Sequence, residues 1–238
     1  MKNLKTPSKF RIAGIAFLAV LCLLQFSSCL KDNNNYVAPP PTALLMVIQG
    51  SPDAPEEALF LDNNRVNNPP FNYGDNIGYF NAYTGERNVI LNDYNSGTRI
   101  ASDTMRLNSN VTYSLFLANT YTKPDFILLT DSIAQPASGK ATIRLVNVSP
   151  NAGSVDLSAN STTIVTGKGY KGSSAFISVT GGATYNFSIL KNGTTTVLAT
   201  LNAIPINTGS VYTIWVHGMA NGTGTSVLKA DIINNAYY

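Results

Sequence analysis

The amino-acid sequence predicts an all-β protein, built as two tandem immunoglobulin-like β-sandwich domains behind a leader and a short tether. Three observations carry that expectation. From residue 43 onward the apolar stretches are short, often alternate, and are broken at regular intervals by Gly, Asn, Asp and Pro. That is the pattern of strands and turns, and no window holds a helical period over three turns. A short apolar run ending in Ser-Pro-Asx-Ala occurs twice, as Ser51-Pro52-Asp53-Ala54 and Ser149-Pro150-Asn151-Ala152. Of the 238 residues 44% are apolar and only 12% charged. Such a chain can fill two small cores while hydroxyls and amides cover the polar faces.

The chain opens on Lys2, Lys5, Lys9 and Arg11, then an apolar run over 12–24, then Phe26-Ser27-Ser28-Cys29. The run is shorter than the roughly 20 residues of a permanent spanning helix. Residues 1–28 therefore read as a signal peptide. The segment resembles a bacterial lipobox, with Phe26 where Leu is usual. The resemblance implies cleavage before Cys29 and lipid, palmitate among it, on that residue, which makes the membrane a partner. Cys22 would leave with the leader, so Cys29 would be the one thiol of the mature chain and no intrachain disulfide could form. Several acyl chains hold far better than one, since each buried methylene adds about 0.8 kcal/mol. The full chain carries a formal +3, but loss of the leader leaves 12 Lys+Arg against 13 Asp+Glu. That balance argues against a nucleic-acid partner. Residues 29–42 are polar and Pro-rich, the composition of a tether. Lys31-Asp32 resembles the export signal of surface lipoproteins, so the expected place is the outer membrane, lipid-anchored and surface-exposed.

The first repeat is expected over 43–132, a linker over 133–140 and the second repeat over 141–238. Ser51 and Ser149 are 98 positions apart, Thr84-Gly85 and Thr180-Gly181 are 96 apart, and Tyr113 and Tyr212 are 99 apart. Near-constant offsets indicate a tandem duplication, with units too long and too few for a solenoid. In the second copy strands are expected near 141–148, 154–157, 162–166, 175–179, 184–190, 195–201, 210–217 and 226–232. Seven or eight short strands in that length fit an immunoglobulin-like sandwich. Along 210–217 both alternating faces are apolar enough to be buried. At the Ser-Pro-Asx-Ala step proline ends the strand, because it cannot donate to a ladder. Asp53 or Asn151 is then expected to close an Asx-turn with its own side chain. The first strand with its Ser-Pro-Asp-Ala-Pro end, the Thr-Gly turn and the late Tyr-Thr strand together resemble the domain of unknown function DUF4397. Residues 143–216 carry the resemblance best and 46–117 more loosely, and Asn151 and Gly153 depart from the family's Asp and Pro. It implies an extracytoplasmic β-sandwich and transfers no activity and no catalytic residue.

Little in the sequence proposes chemistry. His217 is the single histidine, and a triad would need a specific carboxylate to orient it. Glu56 and Glu57 are neighbours, so on a strand they diverge. Asp53, Glu56 and Asp62-Asn63-Asn64 could offer oxygens to calcium, but such loops mostly serve turns. No catalytic residue, cofactor or metal site is therefore expected. The binding candidates are Tyr73, Tyr79, Phe80 and Tyr83, four aromatics within eleven residues among Asn and Gly. Aromatic faces beside amides suit sugar rings, and equally suit a sandwich core. The expected function is a non-catalytic surface module for glycan or an envelope protein. The alternatives are a hydrolase with carboxylates in an interdomain cleft, and a passive spacer.

Overall fold

The computed structural model describes residues 38–238. The leader, Cys29 and most of the tether lie outside the described residues. The first repeat has eight strands: β1 (Thr42–Gln49), β2 (Glu57–Leu61), β3 (Asn64–Arg65), β4 (Asn76–Tyr83), β5 (Gly85–Asp93), β6 (Arg99–Leu107), β7 (Thr112–Ala118) and β8 (Asp125–Thr130). The second repeats the series: β9 (Lys140–Asn147), β10 (Val155–Ala159), β11 (Thr162–Lys168), β12 (Ile177–Thr180), β13 (Ala183–Lys191), β14 (Val197–Ile206), β15 (Ser210–His217) and β16 (Lys229–Tyr237). Each of the eight stretches expected in the second copy overlaps one of these strands.

Each repeat folds into two four-stranded sheets of the same order. They are β4-β1-β7-β8 over β3-β2-β5-β6, and β12-β9-β15-β16 over β11-β10-β13-β14. The pairs β1–β7 and β9–β15 are parallel, whereas β2–β5 and β10–β13 are antiparallel. Leu45, Val47, Leu59, Val89, Leu91 and Leu115 fill the first core, and Ile143, Leu145, Leu157, Phe187, Ile189 and Ile214 the second. In both, a tyrosine near the start of the late strand turns its hydroxyl back to accept an upstream backbone N–H. Tyr113 accepts from Asn108 at 3.2 Å and Tyr212 from Asn207 at 3.1 Å. This is the tyrosine corner of immunoglobulin-like sandwiches.

The Ser-Pro-Asx-Ala step differs from its sequence-based expectation. The side chain that caps the local turn comes from the last strand residue: Gln49 Oε1 accepts from Ser51 N, and Asn147 Oδ1 from Ser149 N. Asp53 and Asn151 reach instead across the fold. Asp53 Oδ1 accepts from Tyr121 N at 2.9 Å, and Asn151 Oδ1 from Ala220 N at 2.7 Å. Each ties the first turn to the loop after the late strand. The recurrence is thus a long-range fastening, which sequence offsets reveal as a repeat but not as a contact.

Residues 40–238 form one compact unit. Sheet β4-β1-β7-β8 packs its outer face on that of β12-β9-β15-β16, burying Met46, Ile48, Phe116, Val146, Val148 and Trp215 between them. This seam explains why every residue of β15 is buried. Trp215 and Phe116 meet with centroids 5.9 Å apart, and Gly50 admits their approach. A Cβ on Gly50 would stand 2.8 Å from the Leu117 carbonyl and 3.2 Å from the Trp215 ring.

A polar network crosses the same seam. Arg144 Nη1 pairs with Asp131 Oδ1 at 2.6 Å with both side chains buried. Its Nε donates to Thr213 Oγ1 at 2.9 Å and its Nη2 to Ser114 Oγ at 3.1 Å. The Tyr79 hydroxyl donates to Asp131 and accepts from Asn235 Nδ2. Isolated charges are costly to bury, and each here is paired and hydrogen-bonded.

Candidate functional site

The four aromatics singled out in the sequence do not assemble into one platform. Leu45 stands opposite Phe80 but Val47 opposite Ile77, so β4 carries an extra residue, a bulge. The bulge sends Ile77, Phe80 and Ala82 to the core and Tyr79 to the seam. Burial and the Asp131 carboxylate both disfavour ionisation of Tyr79, raising its pKa. Tyr73 precedes β4 and also crosses the seam. Its hydroxyl lies 2.7 Å from His217 Nδ1, and its ring meets the imidazole edge-on with centroids 5.2 Å apart. Only Tyr83 is open to solvent, at 57% exposure.

His217 does find the carboxylate that a catalytic triad would require. Its Nε2 lies 2.7 Å from Asp231 Oδ2. An ionised carboxylate only accepts, so Nε2 carries the proton and Nδ1 accepts from Tyr73. The imidazole also stacks on Trp215 with centroids 3.7 Å apart. Burial holds its pKa below the usual value, against the pull of Asp231. No serine joins the chain, and its third member is a phenol held by burial in its neutral form. The arrangement staples the repeats together.

The oxygens considered for calcium are engaged elsewhere. Asp53 holds Tyr121 N. Asp62 holds Arg87 at 2.9 Å and Asn88 N at 2.9 Å, which keeps its carboxyl below the usual range. Among the described residues no three His, Cys, Asp or Glu side chains converge to hold a metal. The facing sheets of the two repeats are packed, and the Asp131 carboxylate between them is ion-paired.

The concave feature that does collect suitable chemistry lies on the open side of the first sandwich, between the edge strands β3 and β4. It holds about 350 Å³. Leu61, Val66, Ile77 and Phe80 supply apolar lining, and Asn64, Arg65, Asn81, Tyr83 and Arg87 supply polar groups. Arg87 secures one wall. Its Nε and Nη2 donate to the carbonyls of Tyr83 and Thr84 at 3.0 and 2.6 Å, while Nη1 pairs with Asp62. The hairpin bearing Tyr83 is therefore held to the β2–β3 turn.

The groove exists because β3 is short. Proline cannot extend a ladder, and Pro69-Pro70 soon follow the two residues of β3. The corresponding β11 runs for seven residues. There Ile164, Val165, Ile177 and Val179 pack on the core. The sequence signal was the proline pair, which predicts a truncated edge strand. Of the groove residues, only Phe80, Tyr83, Asp62 and Asn64 stood out in the sequence.

Duplicated sheets of fixed order, each repeat with a parallel first–late strand pair and a tyrosine corner, define a tandem immunoglobulin-like β-sandwich protein. The family described as a domain of unknown function (DUF4397) matches residues 43–158 and again 141–236. The chain belongs to that family. No curated protein matches it. Among solved structures it is similar to a family 26 carbohydrate-binding module from Eubacterium rectale in complex with maltoheptaose, at 12% identity and a TM-score of 0.26, covering 81% of this chain and 97% of that one. It is also similar to a structure described as α-glucan binding by a streptococcal virulence factor, at 11% identity and a TM-score of 0.24, covering 73% and 92%. A structure of family 41 carbohydrate-binding modules from streptococcal virulence factors gives 11% and 0.24, covering 79% and 96%. Overlays at these scores bear on neither ligand nor site.

Proposed function

We propose that this chain is a non-catalytic envelope lipoprotein whose first repeat binds glycan in the groove between β3 and β4. The observation that carries the reading is the groove itself, with an exposed Tyr83 at its lip and Phe80 in its lining, flanked by Asn64 and Asn81. Aromatic faces pack on the apolar faces of sugar rings, while amides and guanidinium groups bond the hydroxyls. Catalysis by a carboxylate pair needs two acids flanking one bond. Asp62 is the one acid lining this groove, and Arg87 holds it. Retention of the full chain on immobilised glycans tests the reading. Tyr83→Ala is expected to weaken retention about tenfold with the fold intact. Unchanged retention would remove the groove from consideration.

Anchoring through Cys29 is the second part of the proposal, supported by the basic-apolar leader that ends at that residue. Cys29→Ala is expected to shift the protein from the membrane fraction to the soluble one. Persistence in the membrane would overturn a lipid anchor at this position.

A further inference from the structure

Three of the four exposed tyrosines gather at one end of the molecule. Tyr83 stands opposite Thr42, where β1 begins. Tyr237 stands opposite Ser210, where β15 begins, and Tyr238 N donates to the Gly209 carbonyl. Their exposures are 57%, 73% and 51%, and Leu44 near the start of β1 is 40% exposed. The fourth, Tyr121, follows β7 and lies at the opposite end.

Contacts across the seam show that the two repeats point the same way. Phe116 meets Trp215, each close to the last residue of its strand. Tyr73 meets His217, which ends β15, and Ser226 Oγ lies 3.5 Å from the carbonyl of Pro52, which follows β1. The last ends of β1, β7 and β15 therefore lie together, and β9 runs parallel to β15. All four strands begin at the tyrosine end.

The tether enters at that end as well. The Pro41 carbonyl accepts from Thr84 N at 3.2 Å, one residue beyond Tyr83. Only residues 30–41 separate Thr42 from Cys29, so the two are at most about 45 Å apart. Lys140 adds a positive charge at the start of β9. Its Nζ lies 3.5 Å from Thr180 Oγ1, and among the described residues no carboxylate pairs with it. Tyrosine suits a bilayer surface, because its ring enters the headgroup layer while its hydroxyl stays wet. A cation beside it is drawn to anionic lipid.

We propose that this end rests on the phospholipid headgroups of the membrane, with Tyr237 and Tyr238 as the contact and Lys140 beside them. The inference rests on the Cys29 anchor and adds an orientation to it. Tyr83 belongs to the lip of the groove. The groove lies on the side of the first sandwich and stays open above the bilayer, while the loops after β1, β7, β9 and β15 face away from it.

The test uses the chain anchored through Cys29 on vesicles of phosphatidylethanolamine and phosphatidylglycerol, some of whose headgroups carry a nitroxide. A fluorophore is attached at Ser109→Cys or Asn207→Cys, exposed positions at the tyrosine end, or at Asn221→Cys, exposed at the other. The nitroxide is expected to quench the first two and to spare the third. Combining Tyr237→Ser with Tyr238→Ser is expected to remove most of that quenching while the protein stays on the vesicles. Both side chains are exposed, so the variant is expected to fold, as circular dichroism would verify. Similar quenching at all three positions, or quenching at Asn221→Cys alone, would overturn the orientation. Quenching unchanged by the double variant would overturn the tyrosine contact. Cross-linking between copies at Asn207→Cys in place of quenching would assign this end to a second copy and overturn the lipid. A chain that binds no vesicles would remove the anchor, and this inference with it.

Discussion

Two buried ionisable residues, Glu57 and His217, give this protein opposite responses to pH. Glu57 is buried, and desolvation pushes its carboxyl up to about 7, against the hydrogen bond from Gln49 Nε2. A carboxyl whose folded pKa is raised adds stability below its unfolded value near 4.5, and that contribution is lost as pH rises through about 7. The full effect is about 3 kcal/mol at most. His217 acts in the other direction. Its folded pKa lies below the ordinary 6.5, so in acid the unfolded chain takes up a proton that the folded one refuses. Stability then falls as pH drops below about 6.5. The Glu57 slope spans about pH 4.5 to 7 and the His217 slope lies below about 6.5, so the two oppose each other over the range they share. In denaturant midpoints measured across and above that range, Glu57→Gln is expected to remove the fall that ends near pH 7, and His217→Gln the loss below about 6.5. An unchanged profile between pH 4.5 and 7 in Glu57→Gln would show that this carboxyl contributes no slope. The burial of His217 follows from the two covered faces of 210–217, whereas that of Glu57 was not legible in the sequence. Adjacent Glu56 and Glu57 look alike there, and only the strand start at Glu57 turns one inward. The partner of His217 is Asp231, on the neighbouring strand, where no local spacing marks it.

At the scale of elements the sequence carried much of the design and missed what depends on a single irregularity. Strands recur because apolar runs alternate and are stopped by turn residues, and both repeats obey this. The two apolar faces of β15 announced a strand covered on both sides, as it is. The bulge in β4 was not legible. It lets Ile77 and Phe80, three residues apart, both turn to the core, with Tyr79 on the seam side. Simple alternation cannot foresee a change of face in mid-strand. Gly50 shows how closely the elements fit: it ends β1 beneath Trp215, and any side chain would press on the Leu117 carbonyl. Gly50→Ala is expected to cost about 1–3 kcal/mol through overpacking. Chemical denaturation would check this, and a loss below about 0.5 kcal/mol would mean the seam yields at that point.

Over the whole molecule, the turn composition of 133–140 was legible as a junction between repeats, but nothing in it told whether the repeats touch. They do, through an apolar seam enclosing the Arg144–Asp131 pair. Domains joined only by a linker unfold separately, whereas a large dry interface couples them. Calorimetry of the wild type is expected to give one cooperative transition. Asp131→Ala strands Arg144 in the seam without its counter-charge, at about 3–5 kcal/mol, and is expected to divide that transition in two. Two transitions already present in the wild type would show the seam to be weak.

The two sides of that seam are copies of each other. Phe116 meets Trp215, its own counterpart 99 positions further on. Thr130 stands opposite Tyr113 and Asn234 opposite Tyr212, so Asp131 and Asn235 hold the same position, and both contact Tyr79. Ser114 and Thr213, one residue beyond those tyrosines, both meet Arg144. Contacts exchanged between equivalent patches are the signature of a symmetric homodimer. The seam is therefore a dimer interface folded into one chain. The junction keeps the two halves at high effective concentration. Because they are joined, the two halves are free to differ, β3 having two residues where β11 has seven.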